Sequence, residues 1–232
     1  MFECHPKFKF VGNKNMKKLE HFIFDFDGTL VDSMPTFAHA VLTILDNYGA
    51  KYPSDIIKTV TPLGIVDTAN YCIATFNLPL STEVFITDMM RLATDAYMYE
   101  IPLKESVLRT LKELKSRGAS LNILTASPHE TLDPCLERLG VLPLFDNVWS
   151  CNDFNTNKSN PEIYKMAAKK LGTTAENTVF LDDNIEACRS AKRGGCKVVG
   201  VYDSSSDDFA ADMKRELDGY IVRLIEILDI SL

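Results

Sequence analysis

Phe22-Ile23-Phe24-Asp25-Phe26-Asp27-Gly28-Thr29-Leu30 sets two carboxylates and a glycine at the end of an apolar run. The β-rich run His21 to Phe26 predicts a buried strand, and Gly28 predicts its stop where the sheet meets solvent. Side chains alternate along a strand, so Asp25 and Asp27 are expected on one side at its C-terminal end. That is the rim at which open α/β sheets bind ligands. Like charges this close repel and call for a cation or hydrogen-bond donors; a hard divalent ion with oxygen ligands suits them. The same residues also read as a turn beyond a solvated strand end, and the stretch alone leaves both readings open.

The chain around it is of ordinary globular composition, 232 residues with 46% hydrophobic and 25% charged side chains, long enough for one large domain or two small ones. A net charge of -7 disfavours nucleic acid or an anionic membrane as the main partner. No apolar run has the length of a membrane span and none has the layout of a secretory signal, so a cytoplasmic protein is expected. Six scattered cysteines form no C-x-x-C pair, which points to reduced packing residues and to neither zinc nor disulfides. The four histidines show no metal-binding spacing and are taken as structural or surface residues.

Met1 to Asn15 lacks any sustained period and reads as a flexible extension ahead of a second methionine, Met16. After Leu30 the pattern turns helical. Ser33-Met34-Pro35 offers a helix cap with proline in the first turn, and an apolar face runs from Phe37 to the stop at Tyr48-Gly49. Further helices are expected over Ser54 to Val60, Ile65 to Phe76 and Ser81 to Tyr99. Residues 31–102 therefore read as a helical insert, a second domain set into a core made of 16–30 and 103–232. From Leu103 helices and strands alternate: helix Lys104 to Arg117, strand Ser120 to Thr125, helix Pro128 to Leu139, strand Asn147 to Cys151. Helix Pro161 to Leu171, strand Thr178 to Leu181, helix Ile185 to Arg193, strand Lys197 to Val201 and a last helix from Asp207 to Leu228 follow. Such alternation predicts an α/β protein with a Rossmann-like parallel sheet covered on both faces.

Three further strand ends carry polar residues. Thr125-Ala126-Ser127 precedes Pro128, where a helix start presents a hydroxyl and free amides to a phosphate; Ser127 also reads as the helix cap. Asn157-Lys158-Ser159-Asn160-Pro161 places a lysine before another helix. Val179-Phe180-Leu181 ends in Asp182-Asp183-Asn184, at the same rim as Asp25, although one of the pair could serve as a cap.

Together these segments resemble the four motifs of the haloacid dehalogenase superfamily. Asp25-Phe26-Asp27-Gly28-Thr29 is similar to the first motif, Thr125 to the second, Lys158 with Pro161 and Tyr164 to the third, and Asp182-Asp183 to the fourth. Order and spacing match from about residue 20 to the C-terminus, and the insert resembles the α-helical cap of relatives such as β-phosphoglucomutase and phosphoglycolate phosphatase. The resemblance implies a phosphatase acting on a small phosphorylated metabolite, in which Asp25 is the nucleophile that becomes an aspartyl phosphate and Asp27 the general acid and base. It implies Mg2+ held by the Asp25 carboxylate, the Asp27 carbonyl and Asp183, with Asp182 as ligand or outer anchor. It further implies phosphoryl binding by Thr125, the Ala126 amide and Lys158, and substrate contacts from the cap loop at Thr61, Leu63 and Gly64.

Two departures bear on the reaction. The third motif has Ser159 after Lys158 where the family usually has proline, a change read as tolerated. The loop near Thr61 to Asp67 lacks the basic residue with which β-phosphoglucomutase grips a second phosphate, Lys58 being the nearest candidate, which weighs against the alternative of a phosphomutase. Asp27 weighs against dehalogenation, since dehalogenases lack that second aspartate. Tyr71, Phe76, Tyr97 and Tyr99 are assigned to the core of the insert. By analogy with relatives the protein is expected to be a monomer or a weak dimer.

Overall fold

The computed structural model describes residues 21–60 and 63–232, so the proposed extension, the start at Met16 and Thr61 lie outside the described residues. Six parallel strands form one sheet in the order β3-β2-β1-β4-β5-β6. They are β1 (His21–Phe24), β2 (Ser120–Thr125), β3 (Asn147–Ser150), β4 (Thr178–Asp182), β5 (Lys197–Val201) and β6 (Gly219–Ile221). The order reverses at β1, which is flanked by β2 and β4, and a ligand crevice forms at such a switch point in doubly wound sheets.

Alternation along the central strands divides the core in two. Phe22 and Phe24 face a cluster with Leu111, Leu132 and Leu136, from helices α5 (Val107–Ser116) and α6 (His129–Arg138). Ile23 and Phe180 face the other way, onto Ile163, Tyr164 and Cys188 of α7 (Glu162–Lys170) and α8 (Ile185–Arg193). Both faces of β1 are therefore dry, and burying each of Phe24, Ile23 and Phe180 contributes about 1.5–3 kcal/mol. A strand so fixed leaves its C-terminal residues no choice of position.

Between β1 and α5 lie the four helices of the insert, α1 (Pro35–Asn47), α2 (Ile56–Val60), α3 (Gly64–Phe76) and α4 (Thr82–Tyr99). They pack on a cluster of their own that includes Leu45, Ile56, Cys72, Phe85 and Met89. Ser81 caps α4 by accepting from the Val84 amide at 3.2 Å, and Asn77 ends α3 in the left-handed region at φ 49°. The chain leaves and rejoins the sheet at one place: Val31 bridges Leu103, and Arg138 donates to the carbonyls of Tyr97 at 3.2 Å and Ile101 at 2.6 Å. The five described cysteines are free and buried.

Two expectations are corrected. The first strand stops at Phe24, two residues early, although the Asp25 amide still reaches the Leu181 carbonyl at 2.8 Å. The expected last helix is broken into a short helix α9 (Ala210–Glu216), strand β6 and a 3-10 turn at Leu224–Asp229. Asp218 accepts from the Val198 amide at 2.9 Å, and Gly219 pairs with Val199. Edge pairing to β5 thus overrides the helical spacing of Met213, Leu217, Leu224 and Leu228.

Candidate active site

Because Phe24 is level with Leu181 on β4, the next residue of each strand brings Asp25 beside Asp182. Asp25, Asp182 and Asp183 are all buried and offer carboxylate oxygens within 4.8 Å of one another. Gly28 makes the approach possible. Its φ is +72°, and a Cβ there would lie 2.6 Å from Oδ2 of Asp183, so the chain can turn this close to the carboxylate only without a side chain. Thr29 then donates to Oδ1 of Asp183 at 3.1 Å. Lys104, which the sequence did not single out, secures the turn by donating to the Gly28 and Tyr202 carbonyls, each at 2.6 Å, and to Asp203 at 3.0 Å.

Three carboxylates this close carry a large electrostatic penalty, and one cation offsets part of it. Lys158 lies 2.6 Å from Oδ1 of Asp25 and 2.7 Å from Oδ2 of Asp182. Its own position is set by Tyr164, buried, whose hydroxyl donates to the Lys158 carbonyl at 2.9 Å. Burial alone would make Lys158 lose its proton more easily, but Asp182 and Asp25 outweigh this and hold it well above the usual lysine range. Burial pushes Asp25 well above the usual carboxylate range, Lys158 opposing and the neighbouring aspartates adding to the shift. Burial, then the charge of Asp182, pushes Asp183 up to about 7. The cluster is therefore short of positive charge, which is the electrostatic condition for a cation site.

The donor set fits a hard divalent ion. Both oxygens of Asp182 are engaged, one by Lys158 and the other by the Asn184 amide at 2.7 Å, which leaves Asp25 and Asp183 the better placed to ligate and Asp182 to anchor. Neither aspartate caps α8; that role falls to Asn184, which accepts from the Glu186 and Ala187 amides.

Asp27 is held differently. Its Oδ1 accepts from Ser33 at 2.7 Å and from Tyr97 at 2.5 Å, and its Oδ2 from Ser127 at 2.5 Å. This cage corrects three assignments. Ser33 does not cap α1, whose cap Met34 makes no side-chain bond, and Ser127 does not cap α6, which begins behind an extended Pro128. Both hydroxyls are turned onto the carboxylate, which is partly buried, since a hydrogen bond to a charged group is worth more than a cap. Tyr97, assigned to the core of the insert, packs its ring among the sheet-side residues of α6 and aims its hydroxyl at Asp27. Burial and then the charge of Asp27 push the phenol up, so it remains a donor. No local pattern relates residues 70 apart; the only signal was an aromatic residue with a polar tip at the point where the insert rejoins the core.

Thr125 is buried at the end of β2, its Oγ1 accepting from the Ser127 amide at 3.1 Å and so keeping its proton for another acceptor. Ala126 beside it is exposed. Gly64 lines a cavity between the insert and the loop after β5; Leu63 is exposed at the start of α3.

Residues 22–201 match the family model of the haloacid dehalogenase-like hydrolases. Among curated relatives, a pyrophosphatase PpaX of Bacillus velezensis is 28% identical over 80% of this chain and 84% of its own length. A phosphoglycolate phosphatase of Salmonella typhi is 29% identical over 80% and 83%. Among solved structures, a Thermotoga maritima protein put forward as a β-phosphoglucomutase superposes with a TM-score of 0.81 at 24% identity, covering 90% of this chain and 97% of that one. With the parallel sheet, the switch-point carboxylates and a family match spanning most of its length, this chain belongs to the haloacid dehalogenase-like hydrolases.

Proposed function

We propose that the protein is a Mg2+-dependent, cytoplasmic phosphatase that hydrolyses a small phosphomonoester through an aspartyl phosphate, with residues 31–102 closing over the site as a cap. The observation that carries this reading is the contact of one half-buried lysine with both Asp25 and Asp182 at the switch point of the sheet, beside a second aspartate supplied with three donors. The two curated phosphatase relatives support it.

In this reading a carboxylate oxygen of Asp25 attacks phosphorus and the bond to the alcohol oxygen breaks, Asp27 giving that oxygen its proton. Asp27, now a carboxylate, takes a proton from water as the water oxygen attacks phosphorus, and the bond to Asp25 breaks to release phosphate. Lys158, Thr125 and the Ala126 amide neutralise the phosphoryl oxygens. Mg2+, held by Asp25 and Asp183 with the Asp27 carbonyl, would supply further charge neutralisation between nucleophile and phosphate.

The direct test is phosphate release from p-nitrophenyl phosphate and a panel of phosphomonoesters, with Mg2+ and with EDTA. Turnover only with the metal is expected; silence throughout the panel would sink the phosphatase reading. The metal can also be followed without turnover. At about 100 times its Kd, Mg2+ is expected to raise Tm by about 5–10 °C. In the metal-free fold the proton on Asp183 is retained above the pH at which an unfolded aspartate loses it, so this group favours folding less as pH rises from about 4 to 7. Mg2+ must displace that proton, and the shift is therefore expected to be larger at about pH 8 than at about pH 6. A shift independent of pH would separate the metal from these carboxylates.

Tyr97→Phe keeps the packed ring and removes one donor to Asp27. On the scale of a hydrogen bond to a charged group, roughly 1.5–3 kcal/mol, kcat is expected to fall about 10- to 150-fold with KM little changed. A rise in KM at constant kcat would show that Tyr97 binds substrate instead.

A further inference from the structure

A cavity of about 700 Å3 lies between the insert and the loop after β5, within the range of small-molecule sites. One wall begins at Met34, next to Ser33, whose hydroxyl holds Asp27. The opposite wall includes Ser204 and Ser205, next to Asp203, whose charge is felt at Asp183. The site carboxylates do not themselves line the cavity; it connects to them through Ser33, which holds Asp27, and through Asp203, which Lys104 ties to the Gly28 turn, and the alcohol part of a bound ester would extend toward it.

Its lining is unsuited to a polyol. Met34, Phe37, Val41, Ile57, Ile65 and Met89 supply most of it. Thr68 has already given its hydroxyl hydrogen to the Val60 carbonyl, and Ser205 to Asp203. Among the described residues, Ser204 and Lys58 are the remaining polar side chains. A sugar would leave several hydroxyls stripped of water without partners, which is costly. Phe37 and Ile65 are 41% and 44% exposed, so apolar surface faces the cavity awaiting cover. Resting on the phosphatase reading, we infer that the substrate is a phosphomonoester whose organic part is apolar or aromatic, seated against Phe37 and Ile65.

The experiment is calorimetric binding of n-alkyl phosphonates, ethyl to hexyl, to the full chain with Mg2+, beside turnover of the matching alkyl phosphates and of glucose 6-phosphate. Affinity is expected to rise about fourfold per methylene, the gain from burying one CH2 completely, and kcat/KM to follow it, with glucose 6-phosphate below hexyl phosphate. In Phe37→Ser/Ile65→Ser, two partly exposed positions, the gradient should flatten. Affinity changing less than about twofold across the series, or a gradient unaltered in that variant, overturns the inference. A gradient in binding without turnover removes the hydrolase reading and the inferred substrate with it, leaving only an apolar ligand site; turnover without a gradient overturns the inference and keeps the hydrolase reading. Failure of every phosphonate to bind overturns both.

Discussion

Asp25→Asn is expected to lower turnover by roughly four orders of magnitude or more, the scale on which removal of a covalent nucleophile acts, while the protein unfolds at the same temperature or somewhat higher. The two halves of this result have separate causes. An amide oxygen is a poor nucleophile toward an anionic phosphate and gives no stable acyl phosphate, so the first step is lost even if the phosphate still binds. Stability is retained because Asp25 is not part of the apolar packing: its neighbours are Lys158 and two other carboxylates. Burial raises its pKa well above that of an unfolded aspartate, so the ionised side chain opposes folding near neutral pH. Asparagine removes that penalty but also weakens the hold on Lys158, and the net change is small. The measurement pairs phosphate release with thermal unfolding in EDTA. Activity equal to that of the unmutated protein would exclude Asp25 as the nucleophile.

What the sequence disclosed here followed from strands buried on both faces. Phe22 to Phe24, Leu121 to Leu124 and Val179 to Leu181 are nearly continuous apolar runs, and each ends in a polar residue at the same rim, so Asp25, Thr125 and Asp182 could be placed together before any coordinates. What it concealed was set by contacts between distant residues. Ser33 and Ser127 each precede or adjoin a proline and so read as helix caps, a local role; their bonds to Asp27 depend on a carboxylate placed by another strand. Lys104 reads only as the start of a helix, yet it ties the Gly28 turn to the loop after β5. Strand β6 was hidden because Met213, Leu217, Leu224 and Leu228 keep a helical spacing, and only the free edge of β5 makes extended backbone the better choice. Asp218-Gly219 was the overlooked turn signal.

Lys158→Met should act on stability and catalysis together, unlike Asp25→Asn. Lys158 touches two carboxylates, one of them Asp182, which has no accessible surface. Removing one partner of a buried pair leaves an uncompensated charge and costs about 3–5 kcal/mol. Folding is expected to lose that much in EDTA near neutral pH, with about 6–20 °C off Tm for a chain of this size. Without Lys158, Asp182 keeps the Asn184 amide as a donor but has no cation beside it. Mg2+ should restore part of the stability by supplying charge to the same carboxylates, but not the activity, because the phosphoryl oxygens would still lack Lys158. The double variant Lys158→Met/Asp182→Asn separates the two roles. Removing the stranded charge should recover much of the lost Tm while turnover stays low. If Lys158→Met alone unfolds at the original temperature in EDTA, the three carboxylates are not balanced by this lysine, and the electrostatic account of the site fails at its centre.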